Sequence, residues 1–147
     1  MCIEVRKTCE CGAHRVQFHL RDNLMQPEVI ERLFCPSCSR DAVFDGKSML
    51  NDNGWVIAYD MTLARMLAAG RIACASEAMS PAFLFDHGYA CWLELYPGER
   101  EEIREEKERI MALREEDQKR YLEVIQCWNI ERVARLKEAG WRKALAA

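Results

Sequence analysis

Two close pairs of cysteines are the residues of this chain that point most directly to chemistry. Cys9 and Cys11 are separated by one residue, and Cys35 and Cys38 by two. Zinc holds thiolate ligands at about 2.3 Å, which puts the sulfurs of a tetrahedral site about 3.8 Å apart, and residues two or three apart on a tight turn can supply such a pair. The spacing therefore predicts one shared metal site with all four cysteines as its ligands.

Four thiolates close the coordination shell, whereas a catalytic zinc keeps one position for water, so this zinc is predicted to be structural. The sequence contains no Gly-x-Ser-x-Gly elbow, phosphate loop or dinucleotide fingerprint, and catalysis has no support from it. Four thiolates accept iron as well as zinc, which leaves a rubredoxin-like electron carrier as an alternative. We rank iron below zinc because only Glu10 separates Cys9 from Cys11.

Other thiols and imidazoles are weaker candidates. His14 could replace a thiol in the metal shell, but a surface position on a strand is the favoured interpretation. His87 and Cys91 have the i,i+4 spacing of a shared helical metal site, which Gly88 between them disfavours. Four cysteines have no partner at short spacing, and most of them are expected to be small buried apolar residues, with the first the best candidate for exposure: Cys2, Cys74, Cys91 and Cys127.

The composition is typical of a folded chain with a modest core. The 147 residues are half apolar and 31% charged, which favours a small metal-stapled unit joined to a helical one. No apolar run approaches the roughly 20 residues of a membrane span, and the first residues lack the order of a secretory signal. We therefore expect a cytosolic protein with no membrane partner. In that reducing compartment, eight cysteines indicate metal binding or packing and not disulfides.

The charge balance argues against nucleic acid as the partner. The formal net charge is −3, and four thiolates around one divalent cation would bring it to about −5. The first 50 residues carry seven basic and seven acidic side chains, so the predicted metal module lacks the basic excess that phosphate binding requires. A nucleic-acid-binding module is kept only as a lower-ranked alternative.

Alternating apolar residues on both sides of the first thiol pair predict a β-hairpin with Cys9 and Cys11 at its turn. Residues 27–34 could be an irregular approach to the second cysteine turn, but a short helix that begins with a proline is favoured. Residues 42–44 and 54–59 are predicted to be strands that complete a single small antiparallel sheet with the hairpin.

With the thiol pairs on such turns, residues of about 3–59 resemble a zinc ribbon. The resemblance covers roughly the first two fifths of the chain and puts Cys9, Cys11, Cys35 and Cys38 at the ligand positions. It implies a fold more than a task, because ribbons serve transcription factors, ribosomal proteins, enzyme subunits and adapters.

The rest of the chain, residues 60–147, is predicted to be helical. Residues 60–70 have the cap, apolar repeat and terminal glycine of a helix, and an apolar joint extends to residue 97, with short strands or turns at 83–85 and 90–93. Residues 99–139 contain neither glycine nor proline, which predicts one long charged helix, or two with a subtle break. Its second half carries an apolar stripe that must be covered: Tyr121, Leu122, Val124, Ile125, Trp128, Val133 and Leu136.

These patterns predict an α+β protein with a metal module at residues 1–59 and a helical region at 60–147. The leading hypothesis is a non-catalytic zinc-binding adapter or accessory subunit, whose C-terminal helix associates with a protein partner or a second copy of the chain. A competitor is a regulator of the transcription machinery, since a thiol-bound zinc module beside a long charged helix is similar in parts to the polymerase-binding factors related to DksA and TraR. The reversed order of the parts and the lack of an evident helical-hairpin tip count against it.

Overall fold

The computed structural model describes residues 2–21 and 23–146. The chain divides into two compact units, Met1–Leu93 and Glu94–Ala147. The first unit contains two small antiparallel sheets with two helices, and the second is helical, which confirms the predicted α+β class. The strands are β1 (Cys2–Thr8), β2 (Arg15–Arg21), β3 (Ile30–Phe34), β4 (Met49–Asp52), β5 (Trp55–Tyr59) and β6 (Ala90–Trp92). The helices are α1 (Met61–Ala68), α2 (Pro81–Asp86), α3 (Glu99–Glu102), α4 (Arg104–Glu116), α5 (Gln118–Ala139) and α6 (Arg142–Ala146).

The first sheet has the strand order β1-β2-β6 and contains the predicted hairpin. Val5 pairs with Phe18, and Phe18 pairs in turn with Trp92. Val16, Phe18 and Leu20 are buried on alternate positions of β2, as the period of a strand with one face on the core requires. The predicted strands and their turn at the first thiol pair are confirmed.

The second sheet has the order β3-β5-β4, so the prediction of a single sheet is wrong. The predicted helix at 27–34 is also wrong beyond its first turn: a 3₁₀ turn over Pro27–Val29 leads into β3, which pairs with β5. The predicted strand at 42–44 is a loop, with Val43 88% exposed. β4 takes the place beside β5 instead, because the turn at Asn53 and Gly54 brings these two strands together.

Helices α1 and α2 complete the core of the first unit. The prediction of a helix at 60–70 is confirmed by α1, whose N-terminus is capped by the carboxylate of Asp60 accepting from the N–H of Leu63 over 3.0 Å. Of the short strands or turns predicted at 83–85 and 90–93, the first is wrong, because residues 83–85 belong to α2, which begins at Pro81 after a Ser80 cap. The second is confirmed by β6. The buried core joins both sheets and both helices, and its largest fully buried side chains include Trp92, Tyr59, Phe18, Phe85, Leu20 and Met25.

The second unit is built on an antiparallel helical hairpin, so the prediction of one continuous helix over 99–139 is wrong. The helical conformation breaks at Asp117, which is extended at φ −150° and ψ 95° and whose carboxylate caps α5 by accepting from the N–H of Arg120. Beyond the turn, Tyr121 contacts the Sδ of Met111, and Arg132 is paired with Glu99. The hairpin tip that the sequence did not reveal is therefore present.

The hairpin also explains the apolar stripe of α5. Trp128 is buried and Tyr121 and Val124 are half-buried, so helices of the same unit cover part of the stripe. Leu122 stays 56% exposed and Ile130 63%. Within the described ranges, no helix combines the length and apolar character that crossing a membrane would take.

Candidate metal centre

Strand ends bring the two cysteine pairs together. Cys9 directly follows β1, and Cys35 directly follows β3. The N–H of Glu10 donates to the carbonyl of Leu33 over 2.8 Å, so the turn after β1 is hydrogen-bonded to the end of β3. Each pair therefore occupies a turn at the end of a strand, and the two turns lie side by side.

The four sulfurs form one cluster. The Sγ of Cys11 lies 3.1 Å from that of Cys9 and 3.5 Å from that of Cys35, although 24 residues separate Cys11 from Cys35. Cys35 and Cys38 place their sulfurs 3.4 Å apart, and all four sulfurs lie within 4.8 Å of one another. These distances are close to the roughly 3.8 Å that a tetrahedral tetrathiolate site requires, so the cluster is compact enough to bind one metal ion.

Backbone amides point at the sulfurs. The N–H of His14 donates to the Sγ of Cys9 over 3.3 Å, and the N–H of Cys35 donates to the Sγ of Cys38 over 3.0 Å. Such donors stabilise the negative charge of thiolates and orient them toward a shared cation. Cys9 and Cys35 are buried in the core of the first unit, whereas Cys11 is exposed. The cluster thus lies at the edge of the core, with Cys11 facing solvent.

One glycine shapes the first cysteine turn, and another lies in the turn that packs on the second cysteine turn. Gly12, immediately after Cys11, has φ +75°, and its N–H donates to the carbonyl of Cys9 over 2.8 Å. Gly54 has φ +91° in the β4–β5 turn, and a side chain there would approach the Cβ of Pro36 to 3.3 Å. The β4–β5 turn therefore packs directly on the second cysteine turn, and a glycine suits this position because its φ is positive and the approach is tight.

Ser39 ties these two turns together, since its hydroxyl donates to the carbonyl of Gly54 over 2.7 Å. Sequence reasoning missed this residue. Its position directly after Cys38 was the only available signal, because the bond joins positions 15 apart.

Without a metal, the thiols would share protons unequally. The N–H of Cys38 and the neighbouring thiols of Cys38 and Cys11 outweigh the effect of burial and lower the pKa of Cys35 to about 6. At Cys11 the N–H of Ala13 lowers the pKa, but the neighbouring thiols of Cys9 and Cys35 outweigh it and raise the pKa of Cys11 to about 12. Sulfurs this close cannot all be deprotonated unless a cation neutralises them.

The other candidates from the sequence do not join the cluster. His14 is exposed, as expected, and its ring lies edge-on to Trp55 at 5.7 Å between centroids, while its contact with the site is through its backbone N–H. His87 ends α2 and Cys91 lies in β6, so the helical spacing that could have joined them is not realised. Among the residues that the structure describes, the four clustered cysteines are the one group suited to hold a metal ion.

The isolated cysteines differ in exposure. Cys91 is buried in β6 and Cys74 is half-buried, which agrees with small apolar packing residues. Cys2 is exposed, as expected, and Cys127 is exposed as well, although the sequence favoured burial for it. Cys127 lies on α5 facing the groove of the hairpin, where its partner helix does not cover it.

The centre must be interpreted from its own geometry. No family model, no curated protein and no solved structure matches this chain. The cluster itself is consistent with a zinc-ribbon-like site, because two turns at strand ends each contribute two sulfurs.

Proposed function

We propose that the protein is a non-catalytic zinc-binding adapter or accessory subunit. In this proposal Cys9, Cys11, Cys35 and Cys38 hold a structural zinc ion, and the helical unit associates with another protein. The observation that carries the proposal is the convergence of four sulfurs from two distant turns to within 4.8 Å. Zinc would supply a cross-link between the turns, and its four thiolate ligands would leave no position for a substrate.

The burial of the ligands supports a structural role for the metal. Cys9 is 3% exposed and Cys35 1% exposed, and both belong to the same buried cluster as Val16 and Leu33. A cation at this edge of the core would neutralise thiolates that otherwise repel one another. Metal binding and folding of the first unit are therefore expected to be coupled.

The helical unit supports the association. Leu122 and Ile130 of α5 are more than half exposed, and a groove along the hairpin has an apolar floor. Exposed apolar surface of this kind on a helix commonly forms protein–protein interfaces. Either a different protein or a second copy of the chain would satisfy it. The proposal includes a cytosolic address, where the four thiols stay reduced and available to the metal.

Metal-dependent folding tests the proposal. The full chain is refolded with and without zinc, and far-ultraviolet circular dichroism and tryptophan fluorescence follow the transition. We expect Cys35→Ala to abolish the zinc-dependent gain in structure, whereas Cys74→Ala, which alters a half-buried thiol outside the cluster, retains it. Folding that is indifferent to metal removal would contradict the proposal. Visible absorbance of the purified chain would favour the rubredoxin-like iron alternative, since ferric tetrathiolate is coloured and zinc is not.

A regulator of the transcription machinery remains a second candidate, and one observation favours it. The hairpin turn at Asp117 supplies a helical-hairpin tip that the sequence did not reveal. Stable binding of the purified chain to an RNA polymerase, lost when residues at the tip are changed, would support this candidate over a general adapter. A chain that binds no polymerase would exclude it.

A further inference from the structure

A groove lies between α4 and α5 in the helical unit. It has a volume of about 590 Å³ and is open to solvent. Its floor is apolar and comes from both helices: Ile110 and Leu113 from α4, and Val124 and Trp128 from α5. A concave apolar surface of this size is large enough to take side chains of a partner.

Trp128 places a polar atom in the apolar floor of the groove. The side chain is 8% exposed, yet its indole N–H is buried without a hydrogen-bond partner among the described residues. A buried donor without an acceptor destabilises the fold, and such groups in folded proteins usually have a reason. Trp128 is also the kind of large aromatic residue that anchors protein contacts.

The rim of the groove carries an excess of negative charge. Glu106, Glu123 and Glu131 line it together with a single base, Arg109. None of these four takes part in the ion pairs found among the described residues. Three carboxylates beside an apolar floor would attract a ligand that combines apolar surface with positive charge.

We propose that this groove binds an amphipathic helix with lysine or arginine residues flanking its apolar stripe. The inference rests on the proposed association of the helical unit and names the class of partner. Glu123 to Glu131 spans about 12 Å of α5, or little more than two turns, so the ligand helix needs apolar anchors over about eight residues. Anchors at positions i, i+3 or i+4, and i+7 would meet the floor, and its basic residues would meet the rim.

A second copy of the chain fits the groove less well. In a two-fold symmetric dimer the same patch faces itself, which would bring the acidic rims of both grooves together. Like charges across such an interface disfavour it. A basic helix from a different protein is therefore the occupant that the charges favour.

Two designed peptides test the proposal. They share one apolar face, and one carries lysines beside it where the other carries glutamates. Each is titrated calorimetrically into the zinc-loaded full chain. We expect the basic peptide to bind and the acidic peptide to bind at least about tenfold more weakly. Raising the salt concentration should lower the affinity of the basic peptide. Failure of both peptides to bind, or equal binding of the two, would overturn the proposal.

Matched variants locate the binding. Glu123→Lys with Glu131→Lys reverses two rim charges, and Glu108→Lys with Glu115→Lys makes the same change in net charge on exposed residues of α4 outside the groove. The rim variant should lose the basic peptide and gain the acidic one, while the control binds as the parent does. Equal losses in both variants would overturn the assignment to the groove.

Further controls separate the remaining outcomes. Metal content and helical circular dichroism are measured for every variant. A chain that keeps its zinc but binds no peptide would contradict the groove proposal and leave the structural zinc site unaffected. If the rim variant does not fold, Cys127→Arg blocks the groove from an exposed position and should abolish peptide binding. A dimer of the parent chain that the groove variants dissociate would assign the groove to a second copy and overturn the proposal.

Discussion

The indole N–H of Trp92 donates to the buried carboxylate of Asp52 over 2.8 Å, and this bond joins the two sheets of the first unit. Trp92 lies in β6 of one sheet and Asp52 in β4 of the other. Asp52 is also next to the turn that packs on the second pair of cysteines. The core polar contact and the turn that packs on the second pair of cysteines therefore share strand β4.

Asp52→Ala should destabilise the first unit by about 1–3 kcal/mol, because it removes the acceptor of a fully buried indole N–H. Urea unfolding followed by circular dichroism measures the change. Glu31→Ala, which removes an exposed carboxylate from β3, should stay within about 0.5 kcal/mol of the parent. Equal stability of the two variants would show that the Trp92 contact contributes little.

The glycines of the turns are expected to differ in their tolerance of alanine. Gly54→Ala should be the most damaging, because it combines φ +91° with a 3.3 Å approach to the Cβ of Pro36. Gly12→Ala meets open space but still requires φ +75°, which costs about 1 kcal/mol. Gly46→Ala, with ordinary backbone angles and a nearest contact of 3.8 Å, should be close to neutral. Competition with a chelator and thermal unfolding rank the three, and a reversed order would refute the turn geometry.

The pair of Arg132 and Glu99 should stabilise the helical unit. Both side chains are largely buried, and Glu99 also accepts from the N–H of Leu95 over 2.7 Å. Arg132→Met would leave a buried carboxylate without its cation, at a cost of about 3–5 kcal/mol. Arg135→Met removes an exposed cation from the same helix and should change little. Loss of α-helical signal on heating provides the comparison, and identical melting of the two variants would contradict a stabilising pair.

The hydroxyl of Tyr96 should lose its proton at a higher pH than that of an ordinary tyrosine. Burial, the hydrogen bond from its hydroxyl to Glu102 and the nearby carboxylates raise its pKa well above about 10. Because the pKa of Tyr96 is higher in the folded chain than in the unfolded chain, this tyrosine stabilises the fold fully at pH values below its unfolded-state pKa. The contribution is lost as the pH rises through the alkaline range toward its folded-state pKa. Ultraviolet difference titration of the parent and Tyr96→Phe should identify one late-ionising tyrosine. An unshifted titration would show that the contact to Glu102 is not maintained in solution.

The candidate site was largely predictable from the sequence because its ligands are local pairs. One residue between Cys9 and Cys11 and two between Cys35 and Cys38 are spacings that turns can satisfy. What the sequence could not show is the bond from Glu10 to Leu33 that brings the turns together, since it connects the turn after β1 to a strand much later in the chain. The hydrogen bond from Ser39 in the second cysteine turn to Gly54 in the β4–β5 turn could not be predicted either, because these residues are also far apart in the sequence.

The errors in the fold have two physical causes. Short segments that mix apolar and charged residues, such as residues 30–34, do not distinguish a helix from a strand, and only pairing with β5 decides for β3. The turn at Asp117 contains neither glycine nor proline, so a run of strong helix formers masked it. The preference of aspartate for capping positions was the one signal available there. The burial of Ile110 and Trp128 between the two helices could not be predicted from local sequence, because it depends on the chain folding back on itself.

Elemental analysis of the freshly purified full chain tests the central claim most directly. The account predicts one zinc ion per chain, lost in Cys9→Ala, Cys11→Ala, Cys35→Ala and Cys38→Ala alike and retained in Cys74→Ala. Iron in place of zinc, or a chain that is folded and free of metal, would contradict it.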